Sequence, residues 1–116
     1  MKSKTIVLAA FLLPAVVCAA ESVTYPVAHV RQGNVSTVLV DVGPNFFNSD
    51  GQSQARWYKA VQACVRSARL AGDVVAVGEF NRRFNYYGPK DKSAAMEKLN
   101  MKWVRARVNK QLTCKY

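Results

Sequence analysis

The sequence is poor in the groups on which most enzymes and cofactor-binding proteins rely. Its 116 residues hold one histidine, His29, and three cysteines. There is no Cys-x-x-Cys pair and no second histidine to complete a zinc set, so no metal site is expected. Gly43 and Gly78 stand alone and neither opens a Gly-x-Gly series, which removes the phosphate-cradling loop and with it a nucleotide cofactor. No Asp-x-Asp occurs, and no candidate nucleophile has a histidine partner. Acidic residues are also scarce, 7 Asp and Glu against 17 Lys and Arg.

Long apolar runs are missing too. The longest, Thr5 to Val17, follows Lys2 and Lys4 and precedes the small residues Cys18-Ala19-Ala20. It falls short of the roughly 18 to 20 residues that a membrane span requires. The pattern is that of a secretory signal over residues 1–20, cleaved ahead of Glu21, and its brevity is of the bacterial kind. A lipoprotein anchor on Cys18 is disfavoured by Val17, since such signals carry Gly, Ala or Ser at that place. The expected product is an exported protein, periplasmic or secreted, with no integral span in the mature chain.

Residues 21–116 then form a single small domain, near the lower limit of what one core stabilises. Two cysteines remain, Cys64 and Cys114. An oxidising compartment predicts that they are joined. Closing a loop of about fifty residues contributes about 4 kcal/mol in the chain-entropy account.

The fold is read from the stretch Ser36 to Phe80. Ser36-Thr37-Val38-Leu39-Val40-Asp41-Val42-Gly43 is a nearly unbroken β-branched run of strand length, as a sheet covered on both faces demands. Gln52 to Leu70 has helical spacing, with Trp57, Ala60, Val61, Cys64 and Ala68 on one stripe. Ala71-Gly72-Asp73 stops it, and Val74 to Val77 is a second strand running into Gly78-Glu79-Phe80. This predicts a small α/β domain with a β-α-β core and a short, mostly parallel sheet. Upstream, Val23, Tyr25 and Val27 alternate around Pro26, which confines a strand there to a sheet edge. Downstream, Asp91 caps a short second helix from Ser93 to Leu99, closed by Asn100. Trp103 to Val108 alternates with period two and predicts a C-terminal strand, the alternative being a helix continuing from Ser93 toward Leu112.

Charge marks the candidate surface. Except for Lys2, Lys4 and Arg31, every Lys and Arg lies from Arg56 onward. Within that half, Asn81 to Lys90 is the most unusual composition, with Arg82-Arg83 and Tyr86-Tyr87 in direct sequence and Lys90 after Gly88-Pro89. If the last segment is a strand, Trp103, Arg105 and Arg107 share one of its faces. Basic groups attract anions while aromatic rings offer flat contacts, so Arg82, Arg83, Tyr86, Tyr87, Lys90, Trp103, Arg105 and Arg107 are the predicted binding residues. The expected function is non-enzymatic: an exported binding or adaptor protein for an acidic protein or an anionic polymer of the cell envelope. The alternative is a small hydrolase or metal-dependent enzyme built on Asp41 and Glu79, which the strand ends would bring near each other.

Overall fold

The structure, a computed structural model, describes residues 22–116, so the signal expected over 1–20 lies outside the described residues. Five strands form one sheet: β1 (Ser22–Gln32), β2 (Val35–Asp41), β3 (Asp73–Phe80), β4 (Arg83–Tyr87) and β5 (Lys110–Lys115). Between β2 and β3 lie α1 (Pro44–Phe47) and α2 (Gly51–Ser67). Between β4 and β5 lie a single 3-10 turn at Lys90–Lys92, then α3 (Ser93–Met96) and α4 (Met101–Ala106). The domain is a small α/β fold.

The sheet order is β4-β3-β2-β1-β5. Only β2 and β3 pair in parallel; the other three pairings are antiparallel. This corrects the expected mostly parallel sheet. A parallel pairing needs a crossover of a dozen or more residues, and the segment carrying α1 and α2 provides one. The β1–β2 and β3–β4 connections are two-residue turns, which force antiparallel hairpins. In the first, Gly33 takes φ +62° at the leading turn position, as a type II′ turn requires. In the second, Asn81 and Arg82 both sit at positive φ, +53° and +65°, the signature of a type I′ turn.

Pro26 is not on an edge strand, since β1 lies between β2 and β5. It is tolerated because the ladder with β2 begins only at Val27, one residue later. Up to that point β1 pairs with β5 alone.

Alternation sends successive β residues to opposite faces, and both faces are covered. On one side Val38, Val40, Val74, Ala76 and Leu112 pack beneath α2, whose Val61 and Val65 are fully buried. The helical stripe is therefore rotated from the expected one, toward Tyr58 and Val65 and away from Ala68, which is exposed. Phe46 of α1 is the aromatic centre of this layer, edge-on to Phe47, Trp57 and Tyr87 with centroids 4.9, 5.2 and 5.5 Å away. Gly78 admits no side chain, because a Cβ there would lie 2.8 Å from the Phe47 ring. On the other side Leu39, Val75 and Val77 pack beneath Met96 of α3 and Met101 and Val104 of α4.

The ends of α2 follow local chemistry. Asp50 is the N-cap, its carboxylate accepting from Ser53 N at 2.7 Å. At the far end Leu70 N donates to Val65 O and Arg69 N to Arg66 O, a Schellman arrangement with Arg69 at φ +61° where glycine is usual. The helix thus stops ahead of Gly72. That glycine has a separate role, since at φ +132° its missing side chain leaves room for the Ser36 carbonyl.

The C-terminal region departs most from expectation. Trp103 to Val108 is not a strand; most of it lies in α4, and the strand comes later, at Lys110–Lys115. Asn100 opens α4 instead of closing the previous helix, its side chain accepting from Trp103 N at 2.8 Å. Met101 and Val104, three apart, supply the buried face. α3 is shorter than expected and has no side-chain cap, so Asp91 does not act as one. Lys92 instead inserts its stem beneath α3, the ammonium donating to Thr37 Oγ1 at 3.1 Å and lying 3.4 Å from Asp73 Oδ2.

Cys64 of α2 and Cys114 of β5 form a disulfide, with Cα atoms 5.7 Å apart and a sequence separation of 50. It fastens the helix layer to an edge strand. Replacing both cysteines by serine should lower unfolding stability by about 4 kcal/mol, read from urea melts; a loss below about 1 kcal/mol would show that the staple is energetically idle. A second expectation concerns the two left-handed arginines. Arg69→Gly and Arg82→Gly should each stabilise the fold by roughly 0.5 to 1 kcal/mol, since glycine adopts positive φ without steric cost; lower midpoints in both variants would contradict this.

Candidate basic surface and carboxylate pair

The carboxyl ends of β2 and β3 gather the charged groups of the sheet. Asp41 follows Leu39 by two and Glu79 follows Val77 by two, so both carboxylates project on the α4 side. Arg105 of α4 pairs with one of them, its Nη2 donating to Glu79 Oε1 at 2.7 Å. Asp41 Oδ1 accepts from Gly43 N at 3.2 Å. Partial burial raises the Asp41 carboxyl above the usual range; the Gly43 amide and Arg105 pull it down by less, and Glu79 pushes it up further. Arg105 thus bonds Glu79 and acts on Asp41 only through its charge. Among the described residues no group of three His, Cys, Asp or Glu side chains comes together.

The predicted binding residues separate into three sets. Arg82 and Arg83 occupy the tip of the β3–β4 hairpin, exposed and immediately past Glu79, which brings them to the same end of the sheet as Arg105. Arg107 lies with its guanidinium carbon 3.9 Å from the centre of the Trp103 ring, and Trp103 itself is half-buried against the α4-side core. The ring face is therefore already covered by a cation from its own chain. Since the segment is helical, Trp103, Arg105 and Arg107 do not line one strand face as expected. Tyr86 and Tyr87 belong to β4 and point to opposite sides: Tyr87 into the aromatic layer beneath α2, with Tyr58 5.0 Å away, and Tyr86 toward α4 beside Phe84. Only one of the two can share a surface with the hairpin arginines. Lys90 is exposed beyond Pro89.

His29, alone of its kind, bonds through Nε2 to the Ala71 carbonyl at 3.0 Å and so joins β1 to the loop before β3. The sequence reading missed a second aromatic group altogether. Tyr25, Trp57 and Tyr116 converge from β1, α2 and the end of the chain, with Trp57 Nε1 donating to Tyr25 Oη and Tyr25 Oη meeting Tyr116 Oη, both at 3.0 Å. These residues lie 32 and 91 positions apart from Tyr25, and no local pattern joins them.

Comparison with known proteins found no matching family model, no matching curated protein and no matching solved structure. Among the described residues no helix is long and apolar enough to cross a membrane.

The raised Asp41 carboxyl carries a pH consequence. In the window above its ordinary value the folded chain binds more protons than the unfolded one, so this residue makes stability fall as pH rises from about 4. Asp41→Asn keeps an oxygen for the Gly43 amide and removes the charge. Its urea midpoint should therefore decline less between pH 4 and pH 7 than that of the parent; an unchanged difference would show that the carboxylate carries no net burial cost.

Proposed function

We propose that this is a non-enzymatic exported binding protein that docks an acidic protein or an anionic envelope polymer through the basic end of its sheet. The observation that carries the reading is the state of the hairpin arginines. Among the described residues only two ion pairs form, Lys92 with Asp73 and Arg105 with Glu79. Arg82 and Arg83 have no acidic partner among the described residues, and both stand exposed at the hairpin tip. Arg105 belongs to the same end of the sheet through its bond to Glu79, and Lys102 and Arg107 lie exposed along and beyond α4. The disulfide fits an exported setting.

An acidic partner and a polymer differ in how salt acts. Binding to a polyanion releases condensed counterions, and the affinity falls steeply with salt. A folded acidic partner shows the effect mainly in its association rate. The test is capture from envelope extract, and retention on an immobilised polyanion, by the mature protein and by a variant with Arg82, Arg83, Arg105 and Arg107 all replaced by Ser. The variant should keep the parent circular dichroism, elute at lower salt, and lose about 3 units of log-log salt slope on a polymer. Equal capture and equal elution would remove the basic end of the sheet from the function.

A further inference from the structure

On the opposite side of the sheet, α2, the start of β1 and Tyr116 enclose an open groove of about 440 Å³, lined chiefly by Val23, Tyr25, Arg56, Trp57, Ala60 and Tyr116. A volume of this order suits a ligand of one or two rings. Its apolar wall consists of Trp57, Val23 and Ala60, all partly exposed, so that a flat ring can lie against the indole.

The polar groups of the groove have a fixed direction. The indole N–H of Trp57 is a donor only, so Tyr25 Oη accepts from it. Tyr25 is only 3% exposed, and the other partner its hydroxyl has is Tyr116 Oη. A buried hydroxyl hydrogen left without an acceptor is costly, so Tyr25 donates to Tyr116. The hydrogen of Tyr116, which is exposed, is then free for the groove. Partial burial holds the Tyr116 phenol well above its usual range, so it remains a protonated donor at neutral pH. Beside it Arg56 presents an exposed guanidinium whose one side-chain hydrogen bond among the described residues is a long one, 3.4 Å to Ser53 Oγ. Asp50, which feels the Arg56 charge, has its carboxylate committed to Ser53 N at the helix N-cap. The groove therefore offers two donors, one of them a full positive charge, next to an aromatic wall. What matches it is an acceptor with negative charge on a ring.

We infer that this groove binds a small carboxylate carried on one or two six-membered rings, the ring lying against Trp57 and the carboxylate accepting from Arg56 and Tyr116 Oη. An aryl carboxylate and a uronic acid share this chemistry, and the test separates them. The mature protein is titrated with 2-naphthoate in one arm and a uronic-acid disaccharide in the other, following the indole N–H resonance of Trp57 by NMR; Trp103→Phe assigns the two indole signals. At least one arm should give a saturable shift with a dissociation constant between about 10 μM and about 1 mM, and the arm that does so names the source. Arg56→Gln and Tyr116→Phe, with the remaining spectrum unchanged, should each weaken it about tenfold or more, because both bonds are charge-assisted. The neutral amide of the binding compound should be weaker by a similar factor. Absence of a saturable shift in both arms up to about 10 mM, unaltered affinity in both variants, or equal binding of the neutral amide would overturn the assignment. The variant lacking Arg82, Arg83, Arg105 and Arg107 should bind normally, so failure of this site and failure of the basic hairpin end are read independently.

Discussion

Two adjacent parallel strands buried on both faces are the constraint from which the rest of this small protein follows. Val38, Leu39 and Val40 of β2 and Val75, Ala76 and Val77 of β3 have at most 1% of their surface exposed. A strand pair of that kind cannot be left with one side in water without exposing a row of β-branched side chains, so the chain must provide a cover for each face. α1 and α2 cover one because the parallel pairing already requires a crossover there. The other falls to α3 and α4, two helices too short to be stable alone, held by Met96, Met101 and Val104 against the sheet.

With so few residues, the edges of these layers need fixing by specific links. Tyr58 of α2 donates to the Val74 carbonyl at 2.6 Å, and the disulfide ties the same helix to β5. Lys92 closes the thinner layer, its stem covering apolar surface while its ammonium reaches Thr37 and Asp73 at the amino ends of the parallel pair. The glycines with steric roles fall where layers approach most closely, Gly72 against Ser36 and Gly78 against Phe47.

Charge is arranged on this frame in two separate places. At the carboxyl ends of β2 and β3 Arg105 pairs with Glu79 beside Asp41, while the hairpin beyond carries arginines with no acidic partner among the described residues. On the far side of the sheet Arg56 stands beside a chain of three aromatic residues linked by hydrogen bonds. A sequence so rich in Lys and Arg therefore does not present one uniform basic face. It presents distinct settings, in which the same residue type is a counter-ion, a ring cover over Trp103, or a free donor.

Local chemistry was legible from the residues alone. The β-branched run through Val38 to Val40 declared a strand buried on both sides, Gln52 to Leu70 a helix of nearly the observed length, and the pair Cys64 and Cys114 a disulfide. Each of these rests on neighbours in sequence or on simple counting. The segment after Met96 was not legible, because alternation in Trp103 to Val108 fits a strand as well as a short helix whose buried face needs only Met101 and Val104. Asn100 as N-cap, and a sheet below needing cover, decided for the helix. Nor could the sequence tell that Tyr86 and Tyr87 would part to opposite faces, or that Tyr25, Trp57 and Tyr116 would meet. Strand order is set by which covers and turns are mutually compatible in three dimensions, and the two aromatic assignments follow from strand order. Tertiary structure alone brings together side chains separated by most of the chain.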